Sequence, residues 1–348
     1  MLINILRYLK IKLRFLQYYN KYYAPISIQS RFWCLLNGFF PKNYVLYNFP
    51  FNDATLYVSD YQENFQVSRI NKNPKLINNK VLFTESMMEK VEMPMILGLV
   101  EKGTFVSYGK SSPSDLEGLL LYVKNTGGVI FKPIDGDGGL GILKLIFEKG
   151  SFQISEKNFS REEVLERVAK LNHHLISPLI EQHPYAQSLY PYSINTIRIL
   201  VFKDPSNQQY FIADAAQRIG NDRSRPVDNC GMGGFTSKID IETGTIGQAV
   251  QTYFEERKPT WHKFHPDTEA QIEGTRIPYW DQIKYQVLAL SDKYSFMDYI
   301  GWDVVLQPNG KITVLEANDA CDLKLHQVHQ PLLSNPAVAR FYKFHEII

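Results

Sequence analysis

No acidic residue occurs before Asp53. No pair of cysteines is spaced by two residues, and the three cysteines, Cys34, Cys230 and Cys321, are scattered and odd in number. That usage excludes a disulfide framework and points to a reducing compartment. Each cysteine reads as a small buried residue, and none as a nucleophile. At the N-terminus, charges interrupt every apolar run of MLINILRYLKIKLRFLQYYNKYY. The stretch therefore has neither a secretory apolar core nor a span of the roughly 20 apolar residues a membrane helix needs. Internal repeats and low-complexity tracts are also missing.

What is present is ordinary in bulk and uneven in distribution. The 348 residues are 44% hydrophobic and 21% charged, enough for two or three domains or one large enzyme with a real core. Residues 1–80 hold 11 Lys or Arg against 3 Asp or Glu, which leaves 38 − 11 = 27 against 36 − 3 = 33 for the remainder. The basic excess thus belongs to the N-terminal segment alone. There Arg7, Lys10, Arg14, Gln17 and Lys21 share one helical face, and Leu2, Leu6, Leu9, Leu13 and Leu16 another. A helix of this kind either lies on an anionic membrane surface or packs its leucines on the rest of the protein. A nucleic-acid patch is not expected, since the rest of the chain is net acidic and carries none of the usual reader motifs.

Along the chain, residues 24–75 read as short irregular elements. Helices are predicted from about Lys80 to Val91, over SPSDLEGLLLYVKNTGG with Ser112 or Ser114 as cap and Gly127 as stop, and after Ser160 with Glu163 in a capping box. SINTIRILVF and QYFIADAAQRIG read as a long antiparallel pair, FTSKIDIETGTIGQAV as a hairpin turning at Thr243-Gly244, and GWDVVLQPNGKITVLEAND as a final hairpin.

Between two of the predicted strands lies VIFKPIDGDGGLGILKLIFE, which contains Gly136, Gly138 and Gly141 in G-x-G-x-x-G spacing. The spacing alone is weak, so its context decides. No Gly-Lys-Ser/Thr opens a helix, and the residues after Gly141 are β-prone. The pattern is strand, glycine loop, strand: a flap whose backbone N–H groups can approach a phosphate because no Cβ is in the way. No H-R-D or D-F-G sequence accompanies it, which excludes a protein kinase. Lys132 stands on the strand just before the flap, within reach of such phosphates.

Phosphate chemistry calls for Mg²⁺ and hard oxygen ligands. Glu316 and Asn318 are two apart on the last strand and face the same way, and Asp303 lies on the partner strand. A two-residue Asn309-Gly310 turn places Asp303 opposite Glu316. A three-residue Pro308-Asn309-Gly310 turn shifts the pairing by one, so a shared metal then needs a compensating bulge. Arg198 and Arg218 lie within strands, where a charge needs an ion-pair partner or a ligand such as a phosphoryl group. The loop VDNCGMGG offers Asp228, Asn229, Gly233 and Gly234 to a substrate. The pairs His262/His265 and His326/His329 lack the company of a zinc site and read as surface or helix residues.

In their order, Lys80 in NNK, FKPIDGDGGLG, LISPLIEQH, SINTIRI, AAQRIG with VDNCGMGG, and GWDV with LEAND resemble the ATP-grasp enzymes. The similarity is nearest to the sugar-transfer-associated ATP-grasp family and covers residues 75–330. The resemblance implies an α+β fold, two α+β subdomains gripping ATP, at 76–182 and 183–348, with residues 1–75 as an N-terminal helical or irregular extension. It implies ATP contacts from Lys80, Lys132, Asp135, Gly136, Gly138, Gly139, Gly141 and Glu181. It implies Mg²⁺ on Asp303, Glu316 and Asn318, substrate contacts from Asn195, Asp228, Asn229, Gly233 and Gly234, and catalytic roles for Arg198 and Arg218. Asp319 follows Asn318, where relatives often have proline or glycine. The implied reaction is carboxylate–amine ligation through an acyl-phosphate, on a small-molecule or sugar-linked substrate of surface-polysaccharide synthesis. The competing expectations are a sugar or alcohol kinase and a non-catalytic nucleotide- or glycan-binding partner. The expected place is the cytoplasm, with peripheral contact at the inner membrane face through residues 1–23.

Overall fold

The computed structural model describes residues 12–19, 21, 24–72, 77, 79–87, 91, 93–110, 112–135, 138–253 and 258–348. Most of the stretch 1–23 expected to form a basic helix, and Gly136 of the flap, lie outside the described residues. The described part is α+β, built on two antiparallel seven-stranded sheets.

The first sheet contains β1 (Gly98–Glu101), β2 (Thr104–Ser107), β3 (Gly128–Pro133), β4 (Leu143–Glu148), β5 (Ser151–Ile154), β6 (Lys157–Phe159) and β7 (His174–Pro178), in the order β2-β1-β7-β3-β4-β5-β6. Helices Leu116–Thr126 and Arg161–Val168 cover one face. Strand alternation then sorts β3. Val129 and Phe131 enter the core with Leu119, Val123 and Val164, which turns Ile130 and Lys132 to the opposite face. The predicted caps of these helices largely hold. Ser160 and Glu163 form a capping box, and Gly127 ends its helix in the left-handed region at φ 90°. The first helix, however, is capped by Asp115 rather than Ser112 or Ser114. Its carboxylate accepts from Gly118 N at 2.8 Å, and a full negative charge suits a helix N-terminus better than a hydroxyl.

The second sheet contains β8 (Ile197–Lys203), β9 (Tyr210–Ile219), β10 (Phe235–Ile239), β11 (Ile246–Val250), β12 (Trp261–His262), β13 (Tyr299–Leu306) and β14 (Ile312–Asn318), in the order β12-β11-β10-β9-β8-β13-β14. Both faces are covered. Helix Trp280–Lys293 packs over Ile197, Ile199, Trp302 and Val304, and helix Pro336–Phe344 over Leu200, Phe202 and Tyr299. Double burial explains why β8 and β13 read as apolar runs whose only charges are Arg198 and the terminal Lys203 in one and Asp303 in the other. Gly301 in β13 is required by close packing, since a Cβ there would lie 1.7 Å from Cys321 Sγ.

The extension is more ordered than its sequence predicts. Helices Ile28–Asn37, Pro41–Leu46 and Asp60–Phe65 surround an aromatic core of Phe15, Tyr19, Phe39, Phe40, Tyr47, Phe49 and Tyr57. All three cysteines are free and buried. Among the described residues, no helix is long and apolar enough to cross a membrane.

Candidate active site

A cleft of about 850 Å³ separates the two sheets. On one side, alternation brings Ile130 and Lys132 from β3, Lys144 from β4, and Leu175 and Ser177 from β7. Residues 178–182 cross from one sheet toward the other and form the back wall, with Glu181 among them. Arg218, Asp228, Asp303 and Glu316 come from the second sheet and its loops, and Lys80 from the start of its helix. Apolar Pro94, Ile96, Leu179 and Ile180 share the wall with these charges.

The last hairpin resolves the question of register. Gln307 N donates to Lys311 O, which closes a three-residue turn over Pro308, Asn309 and Gly310. Near the turn, Leu306 pairs with Ile312 and Val304 with Val314. The register then shifts between Asp303 and Val304, and Asp303 pairs with Glu316. Leu315 is the extra residue of this bulge. Consecutive residues of a regular strand face opposite ways, yet Leu315 and Glu316 both line the cleft, as a bulge permits.

Asp303 is the centre of an ion-pair network. Arg198 donates to it from Nε and from Nη2, the latter at 2.7 Å, and Arg218 donates from Nη1 at 3.0 Å. Arg218 also reaches Asp228 at 2.9 Å from Nη2. Burial works against the Asp303 charge, but the two guanidinium groups outweigh it and hold the carboxylate below its ordinary range. Glu316 responds in the opposite direction: burial first, then the negative charge of Asp303, pushes it up. Lys132 is pushed down to about 8 by burial, with Lys80 adding to the effect and Glu316 opposing it. Two polar atoms at this cleft, Ser177 Oγ and Arg218 Nε, are buried without a hydrogen-bond partner in the protein.

A second recess of about 850 Å³ opens on the other side of the flap. Gly138, Gly139, Arg218, Asn229 and Glu316 line both spaces. Arg198, Asn318, Asp319, Asp322 and Tyr253 line the recess alone.

The expected residues divide into those that meet and those that do not. Lys80, Lys132, Gly138, Gly139, Glu181, Arg218, Asp228, Asp303 and Glu316 share the cleft, and Arg198 and Asn318 face the recess. Asp135 lies in the recess wall, held by Asn79 at 3.2 Å and His173 at 2.9 Å. Gly141 has φ 77° and sits against Pro133, at the base of the flap. Asn229 does not point an open amide at a substrate: its Nδ2 donates to Gly138 O and ties the flap to the opposite half. Asn195 is turned inward. Its Nδ2 donates to Ala186 O and Tyr190 O at 2.8 Å, and its Oδ1 accepts from Gly220 N at 3.0 Å. Gly233 and Gly234 likewise serve the loop: a Cβ on Gly234 would meet Asp228 O at 2.6 Å.

The histidines are less superficial than expected. His265 and His326 are buried, and His326 Nδ1 contacts Asp214 Oδ2 at 2.9 Å. His265 is held instead by backbone groups, its Nε2 against Gly220 O at 2.8 Å, partners that the isolated motifs cannot show. Lys144 and Ser177 were not singled out by sequence. The available signal for Lys144 was alternation across the flap, which sets it opposite Ile130 and beside Lys132.

Residues 61–337 match a family model described as sugar-transfer associated ATP-grasp. No curated protein matches the chain. Among solved structures, the N5-carboxyaminoimidazole synthetase of Staphylococcus aureus complexed with ADP is similar at 9% identity and TM-score 0.41, over 76% of this chain and 51% of that one. The D-alanine–D-alanine ligase of Coxiella burnetii gives 11% and 0.39, over 78% and 59%. The VanG D-Ala:D-Ser ligase of Enterococcus faecalis gives 9% and 0.41, over 77% and 61%. The chain therefore spans little more than half the length of these structures. With scores this low, the fold assignment rests on the family match.

Proposed function

The chain belongs to the sugar-transfer associated ATP-grasp family, and from that premise we propose that it is an ATP- and Mg²⁺-dependent carboxylate–amine ligase of surface-polysaccharide synthesis. The observation that carries this reading is the convergence in one cleft of Lys80 and Lys132 with the pair Asp303 and Glu316, beneath the flap. Amines there suit phosphate oxygens, and the apolar wall beside residues 178–182 suits a purine. In this reading the extension is 1–75, the two gripping subdomains are 76–182 and 183–348, and the acceptor occupies the recess.

The donor set fits a divalent cation. Asp303 and Glu316 are cross-strand neighbours whose charges oppose each other, and a cation would relieve what pushes Glu316 up. Asn318 adds an amide oxygen from the same strand face. Among the described residues no cluster of three or more His, Cys, Asp or Glu is placed to hold a metal. Two carboxylates and an amide are the sparse protein share expected when phosphates and water complete the shell. Bound there, Mg²⁺ would neutralise charge on the nucleotide phosphates.

The protein's own residues then divide the work. Lys132 and Lys80 hold the phosphates in line with an attacking carboxylate oxygen of the substrate. That attack forms an acyl-phosphate and releases ADP. Arg218, with Nε unpartnered at the cleft, faces the transferring group and stabilises its charge. Arg198 positions Asp303. The amine then attacks the acyl carbon, phosphate leaves, and an amide remains after loss of a proton. The flap keeps water from the acyl-phosphate.

The test is ATP turnover by the purified protein with Mg²⁺, pooled amino acids, and uronic-acid or amino-sugar acceptors, resolving ADP, AMP and product mass. ADP, phosphate and a condensation product requiring both substrates are expected. ADP with a phosphorylated sugar and no amide would replace ligation by phosphotransfer. We place the enzyme in the cytoplasm, at the inner membrane face.

A further inference from the structure

The extension buries one set of apolar residues and displays another. In residues 12–19, the buried side chains are Phe15 and Tyr19, at 3% and 8% exposure, whereas Leu13 and Leu16 stand at 61% and 43%. The leucine face is therefore not the face that packs on the protein. Arg14 and Lys21 are exposed on the same outward half of the helix as Leu13, since at about 100° of helix turn per residue each falls roughly 100–160° from Phe15 and Tyr19. Helix Ile28–Asn37 repeats the arrangement. Cys34 is fully buried, and almost opposite it Ile28, Phe32 and Leu36 form an i, i+4, i+8 stripe at 84%, 62% and 70% exposure. The two helices share the aromatic core and touch where Tyr19 donates to Arg31 O. Phe51, also 84% exposed, lies in the same extension.

Single exposed apolar residues are normal, but aligned stripes on adjoining helices mark an interaction surface. Charge selects the occupant. Residues 1–52 hold 7 basic and no acidic residues, while the part of the chain after residue 80 is net acidic. We propose that the outward faces of residues 12–21 and of helix Ile28–Asn37 form a docking surface for an anionic lipid bilayer, with Leu13, Ile28, Phe32 and Leu36 entering the interface and Arg14 and Lys21 at the headgroups. The docking surface thus extends beyond residues 1–23 and includes a helix whose sequence alone looked irregular. It does not depend on the reaction proposed for the cleft.

The experiment is co-sedimentation of the full chain with vesicles of phosphatidylcholine alone or with about 30% phosphatidylglycerol, at low and high salt. At least a tenfold preference for the anionic vesicles is expected, falling severalfold in high salt. The double variant Phe32→Glu/Leu36→Glu is expected to lose tenfold or more of that binding while its ATP turnover and circular dichroism stay unchanged. Arg14→Glu/Lys21→Glu, which removes no apolar contact, is expected to lose the preference for anionic over neutral vesicles. Equal recovery with neutral and anionic vesicles overturns the proposal. So does a concentration-dependent dimer, seen by sedimentation equilibrium and abolished by Phe32→Glu/Leu36→Glu, in a protein that ignores vesicles: the occupant is then a second copy.

Discussion

Lys132 shows how one side chain couples burial to ligand binding. Its ammonium is held down at about 8 in the free protein, mainly by burial. An anionic ligand favours the charged form, so binding must raise this value and take up a proton. At pH 8 the uptake on binding ADP is expected to approach half a proton, and affinity is expected to weaken as pH rises through 8. Calorimetry in buffers of different ionisation enthalpy measures this, and Lys132→Met should abolish the uptake. Asp303 and Glu316 separate stability from turnover in a similar way. Asp303→Asn takes the acid partner from Arg198 and leaves Arg218 with Asp228 alone, and breaking such a buried network costs about 3–5 kcal/mol. Glu316→Gln removes a repulsion instead. The Gln variant should melt no lower than the wild type and gain relative stability as pH rises, because the raised Glu316 carboxyl favours folding only while it keeps its proton. Its ATP turnover should nevertheless fall at least about a hundredfold. Equal melting losses in the two variants would contradict this division.

At the scale of elements, the wall of the recess depends on the extension. Glu63 accepts from Leu323 N at 2.8 Å, and Gln327 exchanges hydrogen bonds with Val58 at 2.8 and 2.9 Å. Asp60, Glu63 and Asp322 crowd one ammonium, Lys324, which lies 2.9 Å from Asp322. Burial pushes Asp60 up to about 7 and Glu63 up to about 8, so the folded state holds protons there that the unfolded chain has released. Stability supplied by these groups is complete below the ordinary carboxylate range and is lost as pH rises through 7 to 8. The melting temperature should therefore fall between pH 6 and 9, and Glu63→Gln should flatten that slope while remaining close to wild type at pH 6. A slope unchanged by Glu63→Gln would show that the clamp does not titrate. Elements of this kind also show what the sequence makes legible. The antiparallel pairing of β8 and β9, the capping box at Ser160 and the strand–glycine–strand order could be read locally. The clamp could not, because its partners are more than 250 residues apart. The bulge at Leu315 was readable only as a condition: a three-residue turn together with a shared Asp303–Glu316 site requires it. The inward turn of Asn195 and the flap contact of Asn229 depend on backbone groups whose positions no motif encodes.

Over the whole molecule, the two sheets meet across the cleft at the flap. Asn229, on a loop of the second sheet, donates to Gly138 O, and Val227 packs where a Cβ on Gly139 would lie, at 3.2 Å. The flap is thus latched by the opposite half, and both glycines have positive φ, 72° and 73°, which lets the backbone descend into contact. A latch across a cleft has two consequences. It lowers the cost of ordering the flap over a nucleotide, and it excludes water from the phosphates. Asn229→Ala removes the neutral flap hydrogen bond, worth about 0.5–1.5 kcal/mol, or roughly two- to twelvefold in affinity, together with the local bond its Oδ1 accepts from Gly231 N at 2.8 Å. The KM for ATP should rise within that range, with the melting temperature little changed. The sharper sign is the fate of ATP: hydrolysis without an acceptor should increase relative to productive turnover, since a loosened flap admits water to an activated phosphate. Stopped-flow product analysis with and without acceptor reads that ratio. If uncoupled hydrolysis stays at the wild-type level while KM rises, the latch binds nucleotide without guarding the reaction, and water exclusion must lie with the recess wall that the extension supports.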